Sequence, residues 1–300
     1  MSRDLVAAIE TGGTKIVARI STLDGQPVAE ERWDTGSADQ AMSDLLPFLS
    51  DLPDDHELAG IGIAAFGPLI VDPHSPGFGQ MLATPKPGWA GSNLRAALQQ
   101  RLGVPVTADT DVNASAIAEQ RLGAGQGLSS VAYVTVGTGI GAGLAIEGRS
   151  LKGALHSEAG HLPVTRLPGD EFASTCRFHP HCAEGLAAGP AVRRRLGEGR
   201  DLADDPDMTE LVADYLGQLG ASLVLAWSPH RIVWGGGVIA SSPLVPQIER
   251  KLVAALGGYG VGPAVLQPGF CAPAILEHAG LEGALMMARD LARAANKKGA

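Results

Sequence analysis

Cys176-x-x-His179-x-x-Cys182 places two thiolates and an imidazole within seven residues of one segment, a donor set suited to tetrahedral zinc. A fourth ligand is needed. His161, which directly precedes the segment, is the first choice, with His181 and His156 as alternatives. A Cys176–Cys182 disulfide is the competing reading, but a total of three cysteines and the lack of an export signal argue against a disulfide scaffold. Four protein ligands would close the coordination sphere, making the site structural and letting it hold a loop that has few apolar residues of its own. Cys271, in the apolar stretch Phe270 to Leu276, reads as a core residue.

A second constellation, Asp109-Thr110-Asp111-Val112-Asn113, lies where a strand gives way to a helix. A carboxylate there is placed to take a proton from an attacking hydroxyl. The competing role for Asp111 is plain helix N-capping. The residue three positions on is Ala114, so no capping box supports that role. Two glycine turns complete the set: Gly12-Gly13-Thr14-Lys15, and the run Gly137-Thr138-Gly139-Ile140-Gly141-Ala142-Gly143. Such turns bring backbone N–H groups close to a phosphate, and Thr14 and Lys15 add a hydroxyl and a cation. A simple hairpin turn is the alternative for the first. The second has more glycine than a hairpin requires. Neither fits the P-loop or dinucleotide fingerprints, and both lead into strands rather than helices.

These residues need strands and helices to hold them. The runs Leu5 to Ile9 and Ile16 to Ile20 read as strand, turn, strand, and the pattern returns at Ser130 to Val136 and Leu144 to Ile146, with Glu147-Gly148 turning into a third strand. The repetition points to a duplicated fold of two related domains. Further strands are expected at Gly60 to Ala65, Val104 to Ala108 and Arg231 to Trp234. Helices are expected at Asp39 to Leu49, Ser92 to Leu102, from Val112, through Val212 to Leu223, and at Leu244 to Leu256 and Gly280 to Ala294. Long loops are expected at Gly67 to Trp89 and Pro163 to Pro190. Alternating strands and helices make the class α/β.

Composition bounds the function. With 45% hydrophobic and 18% charged residues the 300-residue chain is globular, and 40 glycines mark a molecule that uses close backbone approach. The net charge of -9, without a Lys/Arg cluster, excludes nucleic acid as a partner. Met1 to Glu10 has no apolar leader, and the uncharged run Gly127 to Ile146 reads as two strands around a glycine turn rather than a membrane span. A cytoplasmic location is expected.

In order and spacing, a set of segments resembles the sugar kinases of the ROK (repressor, open reading frame, kinase) family, and among them the bacterial zinc-containing fructokinase branch. The segments are Ile9 to Lys15, Gly62 to Pro68, Thr84-Pro85-Lys86-Pro87-Gly88-Trp89, Thr110 to Ala114, the glycine run, Glu158-Ala159-Gly160-His161, the Cys/His segment with Glu184-Gly185, and Gly235-Gly236-Gly237. The resemblance implies an actin-like ATPase (ribonuclease H-like) fold of two domains with an interdomain cleft. Residues 1–112 with about 279–300 would form a small domain, and 113–278 a large domain carrying the zinc loop. It implies ATP, Mg2+ and structural Zn2+ as cofactors, a hexose as substrate with fructose foremost, and a homodimer. Asp111 would be the base. Gly67, Pro85, Asn113, Glu158, His161 and Glu184 would lie at the sugar, His161 also binding zinc. Gly12, Gly13, Thr14, Lys15, Gly137, Thr138 and Gly139 would face the phosphates, and Gly235, Gly236 and Gly237 the adenosine. Kinases of the same fold acting on glucose, mannose or an amino sugar are the alternative. The family's sugar-responsive repressors are disfavoured, because the first glycine loop follows directly on Glu10. Glu10 stands where the family at large has Asp, and Thr110 where many relatives have Asn. Both look like the fructokinase branch, and the second removes an amide that would hold a glucose hydroxyl.

Overall fold

The computed structural model describes residues 4–53, 55–260, 265 and 267–299, with side chains as far as 295. The chain divides into two units: Met1–Ala118 with Ser150–His156 and His278–Ala300, and Glu119–Arg149 with Ser157–Glu277.

The first unit opens with a hairpin of β1 (Asp4–Thr11) and β2 (Lys15–Thr22), followed by β3 (Pro27–Asp34), helix α1 (Ala38–Ser50), β4 (Glu57–Ala65), α2 (Leu94–Leu102), β5 (Val106–Thr110) and α3 (Asp111–Arg121). The sheet runs β3-β2-β1-β4-β5, antiparallel through the hairpin and β3, parallel from β1 to β4 and β5. Strand alternation decides which side each residue of β1 serves. Leu5, Ala7 and Ile9 join Leu45, Leu49 and Leu98 of the two helices on one face, while Val6 and Ala8 pack with Leu281, Ala284, Leu285 and Ala288 on the other. Both helices start at side-chain caps, Ser37 accepting from the Gln40 N–H and Asn93 from the Ala96 N–H. The helix on the far face approaches β4 closely. A Cβ on Gly62 would stand 2.0 Å from the Ala284 carbonyl oxygen, so only glycine fits.

The second unit repeats this plan. Its elements are β6 (Ser130–Val136), β7 (Ile140–Ile146), β8 (Arg149–Ser150), α4 (Ala183–Ala187), α5 (Gly189–Leu196), α6 (Pro206–Trp227), β9 (Arg231–Gly235), α7 (Gly237–Ala240), α8 (Val245–Ala255) and β10 (Cys271–Pro273); α9 (Ala279–Gly299) is the helix that returns to the first unit. The sheet order β10-β9-β6-β7-β8, with an antiparallel β6–β7 hairpin and parallel β6–β9 and β9–β10 pairs, is the order of the first sheet read from its other end. The repeated strand–turn–strand pattern thus corresponds to a repeated topology. The 22-residue α6 lays Val212, Tyr215, Leu216 and Leu219 against Ile232 and Trp234 of β9. Cys271 is buried in β10, where burial pushes its thiol up to about 12.

Several expectations need correction. β7 starts at Ile140, so the turn between the paired strands is shorter than the seven-residue glycine run. The stretch from Pro163 to Pro190 is not loop throughout: it contains α4, a single turn too short for a 3.6-residue period to appear in its sequence, and the start of α5. β3 carries the charges of an exposed edge strand and so lacks an apolar alternation to read. The division falls after Ala118 rather than after 112, because 112 lies inside α3, and the first unit also takes Ser150–His156. The two units are nearly equal in length, not small and large. No described helix is long and apolar enough to cross a membrane.

Candidate metal centre and phosphate-facing loops

In the second unit, His161, Cys176, His179 and Cys182 bring one ligand atom each to within 4.8 Å of one another. Donors about 2.0–2.3 Å from a tetrahedral centre stand roughly 3.3–3.8 Å apart. Cys176 Sγ lies 3.8 Å from His161 Nδ1 and 3.7 Å from His179 Nδ1, close to those spacings. All three cysteines are free thiols. His181 is turned elsewhere, its Nδ1 accepting from Arg166 Nε at 2.9 Å. His156 belongs to the first unit, where its Nε2 accepts from the Leu69 N–H at 3.2 Å. Of the three histidines weighed as fourth ligand, His161 is the one the fold delivers.

Local structure explains that delivery. His161 ends a 3-10 turn, Ala159–His161, that packs under β7: a Cβ on Gly160 would lie 1.8 Å from the Ile140 carbonyl oxygen. Cys182 caps α4, its Sγ accepting from the Gly185 N–H at 3.3 Å, and burial pushes its thiol up to about 11. The segment between is pinned by Asp170, whose carboxylate receives a two-point bond from Arg195 at 2.8 and 2.9 Å and the Tyr215 hydroxyl. The adjacent Arg195 guanidinium holds Asp170 well below the usual carboxylate range.

Glu184 links the metal set to the second glycine turn. Its Oε1 lies 3.9 Å from His161 Nε2, and its Oε2 accepts from the Ile140 N–H at 3.0 Å. A Cβ on Gly139 would stand 2.7 Å from Glu184 Oε2, so a side chain there would have to displace that carboxylate. Glu158 precedes the 3-10 turn, its carbonyl accepting from the His161 N–H at 2.9 Å. Gly137 faces open space, its N–H donating to the Gly139 carbonyl at 2.9 Å. Gly235 and Gly236 answer to their own unit: added Cβ atoms would meet the Tyr133 hydroxyl at 2.4 Å and the Val136 carbonyl oxygen at 2.5 Å. Gly237, which opens α7, meets nothing.

In the first unit the reading of Asp109 to Asn113 sharpens. The capping bond at the start of α3 comes from Thr110, whose Oγ1 accepts from the Asn113 N–H at 3.2 Å, so Asp111 is not the residue that supplies it. Asp111 is the first residue of α3, and its Oδ1 accepts from the Val112 N–H at 2.8 Å. Sequence reasoning missed Asp109 as an organising group. Wholly buried, it accepts from the Thr110 N–H at 2.8 Å, Asn113 Nδ2 at 2.7 Å, Ser150 Oγ at 2.6 Å and Lys152 Nζ at 3.0 Å. Asn113 is itself buried and gives an amide N–H to this network. The expected strand stopped at Ala108, whereas β5 runs on to Thr110 and takes Asp109 into its buried part.

The first glycine loop is held by its carbonyls. Gly12 O accepts from Thr35 Oγ1 at 2.9 Å and Thr14 O from the Thr35 N–H at 2.9 Å. Gly13 meets nothing on the side a Cβ would occupy. Lys15 pairs with Asp34, its cross-strand neighbour in β3, in an exposed ion pair. Glu10 faces the start of α9 and accepts from the Leu281 N–H; burial raises its carboxyl above the usual range. Gly67 follows β4 at a cis peptide bond to Pro68, and Pro85 lies in the Thr84-to-Trp89 turn of the same unit.

Comparison with known proteins gives four findings. The sequence profile of the ROK family matches residues 6–291. A fructokinase of Pediococcus pentosaceus is 36% identical over 95% of this chain and 98% of its own length. Among solved structures, a ROK hexokinase from Thermus thermophilus superposes with a TM-score of 0.78 at 28% identity, covering 99% of this chain and 100% of the other. A ROK family glucokinase from Streptomyces griseus, in complex with glucose and AMPPNP, does so with a TM-score of 0.74 at 27% identity, covering 95% and 99%.

Proposed function

This chain belongs to the ROK family, and on that premise we propose that it is a fructokinase, transferring the γ-phosphoryl group of ATP to the 6-hydroxyl of D-fructose. Sugar kinase activity follows from relatives that match nearly end to end, and the fructokinase at 36% identity stands above the glucokinase at 27%. Thr110, with no amide to offer a glucose hydroxyl, agrees with that order. The single observation that carries the chemistry is the start of α3. Thr110 supplies the capping bond, and Asp111 opens α3 at the position assigned to the base.

In this reading Asp111 takes the proton from the sugar hydroxyl as its oxygen attacks the γ-phosphorus, and ADP leaves with the bridging oxygen. Asp109 fixes Asn113 and the helix start behind it. Gly67, Pro85, Asn113, Glu158, His161 and Glu184 are assigned to the sugar. Gly12, Gly13, Thr14, Lys15, Gly137, Thr138 and Gly139 are assigned to the phosphates, and Gly235 to Gly237 to the adenosine. Bound Mg2+ supplies charge neutralisation on the phosphates. Glu10 is turned to α9 and is not assigned to that ion. The donor chemistry of His161, Cys176, His179 and Cys182 fits zinc, with no ligand position left for substrate, so the assigned role is structural. A cytoplasmic homodimer completes the proposal.

The test is a coupled assay for ADP release over fructose, glucose, mannose and glucosamine. Fructose should give the highest kcat/KM. Asp111→Asn should keep the thermal transition and lower kcat by about 10²–10⁴. A wild-type rate from that variant would remove the base, and preference for another hexose would move the chain to the alternative substrate class.

A further inference from the structure

We infer that Lys86 binds the terminal phosphates of the nucleotide at the first glycine loop. The inference rests on the kinase reading and adds to it a cation that the loop's own sequence does not contain. Lys86 Nζ donates to the Gly13 carbonyl at 2.6 Å, although 73 residues separate the two. Lys15, the cation the motif itself supplies, is drawn aside to Asp34.

The turn that carries Lys86 is built to hold it. Trp89 is 1% exposed, its indole N–H donates to the Gly36 carbonyl at 2.8 Å, and its ring meets Phe66 edge-on at 4.9 Å. Gly88 has a φ of +76° and its carbonyl accepts from the Ala38 N–H at 3.2 Å, tying the turn to the start of α1. Thr84 Oγ1 accepts from the Lys86 N–H at 3.3 Å. A long side chain otherwise loses rotamer freedom for a single neutral acceptor, which returns little net stability.

The loop accounts for the placement. The carbonyls of Gly12, Gly13 and Thr14 are all taken by protein donors, from Thr35 and Lys86. Among the described residues, the N–H groups of Gly13 and Thr14 donate to no partner. A loop with engaged carbonyls and unspent N–H groups is an anion cradle. The Lys86 ammonium has three donors, one of them on Gly13 O, leaving two beside that cradle. In a chain of net charge -9, local cations must balance a triphosphate.

The test titrates the full-length protein with ADP and with adenosine. Lys86→Gln should weaken ADP by about 10- to 100-fold, the loss of a charge-assisted phosphate contact, and leave adenosine unchanged. Lys86→Arg should recover most of the ADP affinity. Nε-acetyllysine installed at position 86 keeps the reach and an N–H for Gly13 O while removing the charge, and should behave like the Gln variant. Wild-type ADP affinity in the Gln or acetyllysine protein, or equal losses of ADP and adenosine, would overturn the assignment. Fructose turnover by wild type, measured alongside, reports on the kinase reading separately, because the ADP titration needs no sugar.

Discussion

Asp109→Asn should destabilise the first unit, and the size of the effect can be worked from the partners of this carboxylate. The asparagine oxygen can still accept from the Thr110 N–H and Asn113 Nδ2, which both use Oδ1. Its amide nitrogen then replaces Oδ2, facing Ser150 Oγ and Lys152 Nζ. The serine hydroxyl can rotate to accept, but an ammonium group only donates. Removing one partner of a fully buried ion pair costs about 3–5 kcal/mol. Lys152 is 28% exposed and can turn its charge back to water, which lowers the expectation to about 2–3 kcal/mol. At about 2–4 °C per kcal/mol for a unit of this length, the melting transition should fall by roughly 4–12 °C. Differential scanning calorimetry reads this shift. A cycle with Lys152→Met should then return a coupling of about 2 kcal/mol between the two side chains. Displacement of the helix start should lower kcat by about tenfold or more. A melting shift of less than about 1 °C, or strict additivity in the cycle, would refute the account of Asp109 as organiser of the α3 start.

Two further outcomes follow from the second unit. Protein purified without chelator should carry one zinc per chain by elemental analysis; prolonged dialysis against a strong chelator, or Cys176→Ser, should lower its melting temperature, and a metal-free wild type would remove the site. Asp170→Asn should cost about 3 kcal/mol at pH 7, since Arg195 is left buried without its partner. Because the folded carboxyl is held below its unfolded value of about 3.9, its contribution is present above that pH and lost as pH falls toward the folded value. Melts at pH 7, 5 and 3 should therefore show the wild-type advantage narrowing only in the most acidic sample, and a gap of constant size would contradict the pairing.

How much could be read in advance varied with the range of the interaction. The hairpins of both sheets were legible because a glycine turn between two β-branched runs is a local pattern, and its return at Ser130 carried the duplication. The Cys/His segment was legible for the same reason, three ligands lying within seven residues. What escaped depends on distant partners. The ion pair of Lys15 with Asp34 depends on the β2–β3 register, which the glycine turn does not reveal. Lys86 looks like a loop residue until Trp89 docks under α1. Asp109 and Asp111 are two aspartates near the end of a strand, and the donors from Ser150 and Lys152 mark Asp109 as the buried organiser, apart from the aspartate proposed as base.

The proposed metal set also bears on chemistry, through the two nitrogens of one ring. His161 turns Nδ1 to Cys176 and Nε2 toward Glu184, whose Oε1 stands 3.9 Å away, within electrostatic reach but beyond a hydrogen bond. Glu184 in turn accepts from the Ile140 N–H at the end of the glycine turn, and a side chain at Gly139 would have to displace that same carboxylate. A rotation of the His161 ring would therefore reach the backbone of the turn through one intervening side chain. The Cys/His segment has few apolar residues to pin it and relies on Asp170, Arg195 and Tyr215 at its far side. The ligands that hold the loop and the residues assigned to sugar and phosphate in this unit thus form one connected structure. A metal held by this set, as proposed, would therefore act beside them, and not at the edge of the sheet where Cys271 lies buried in β10.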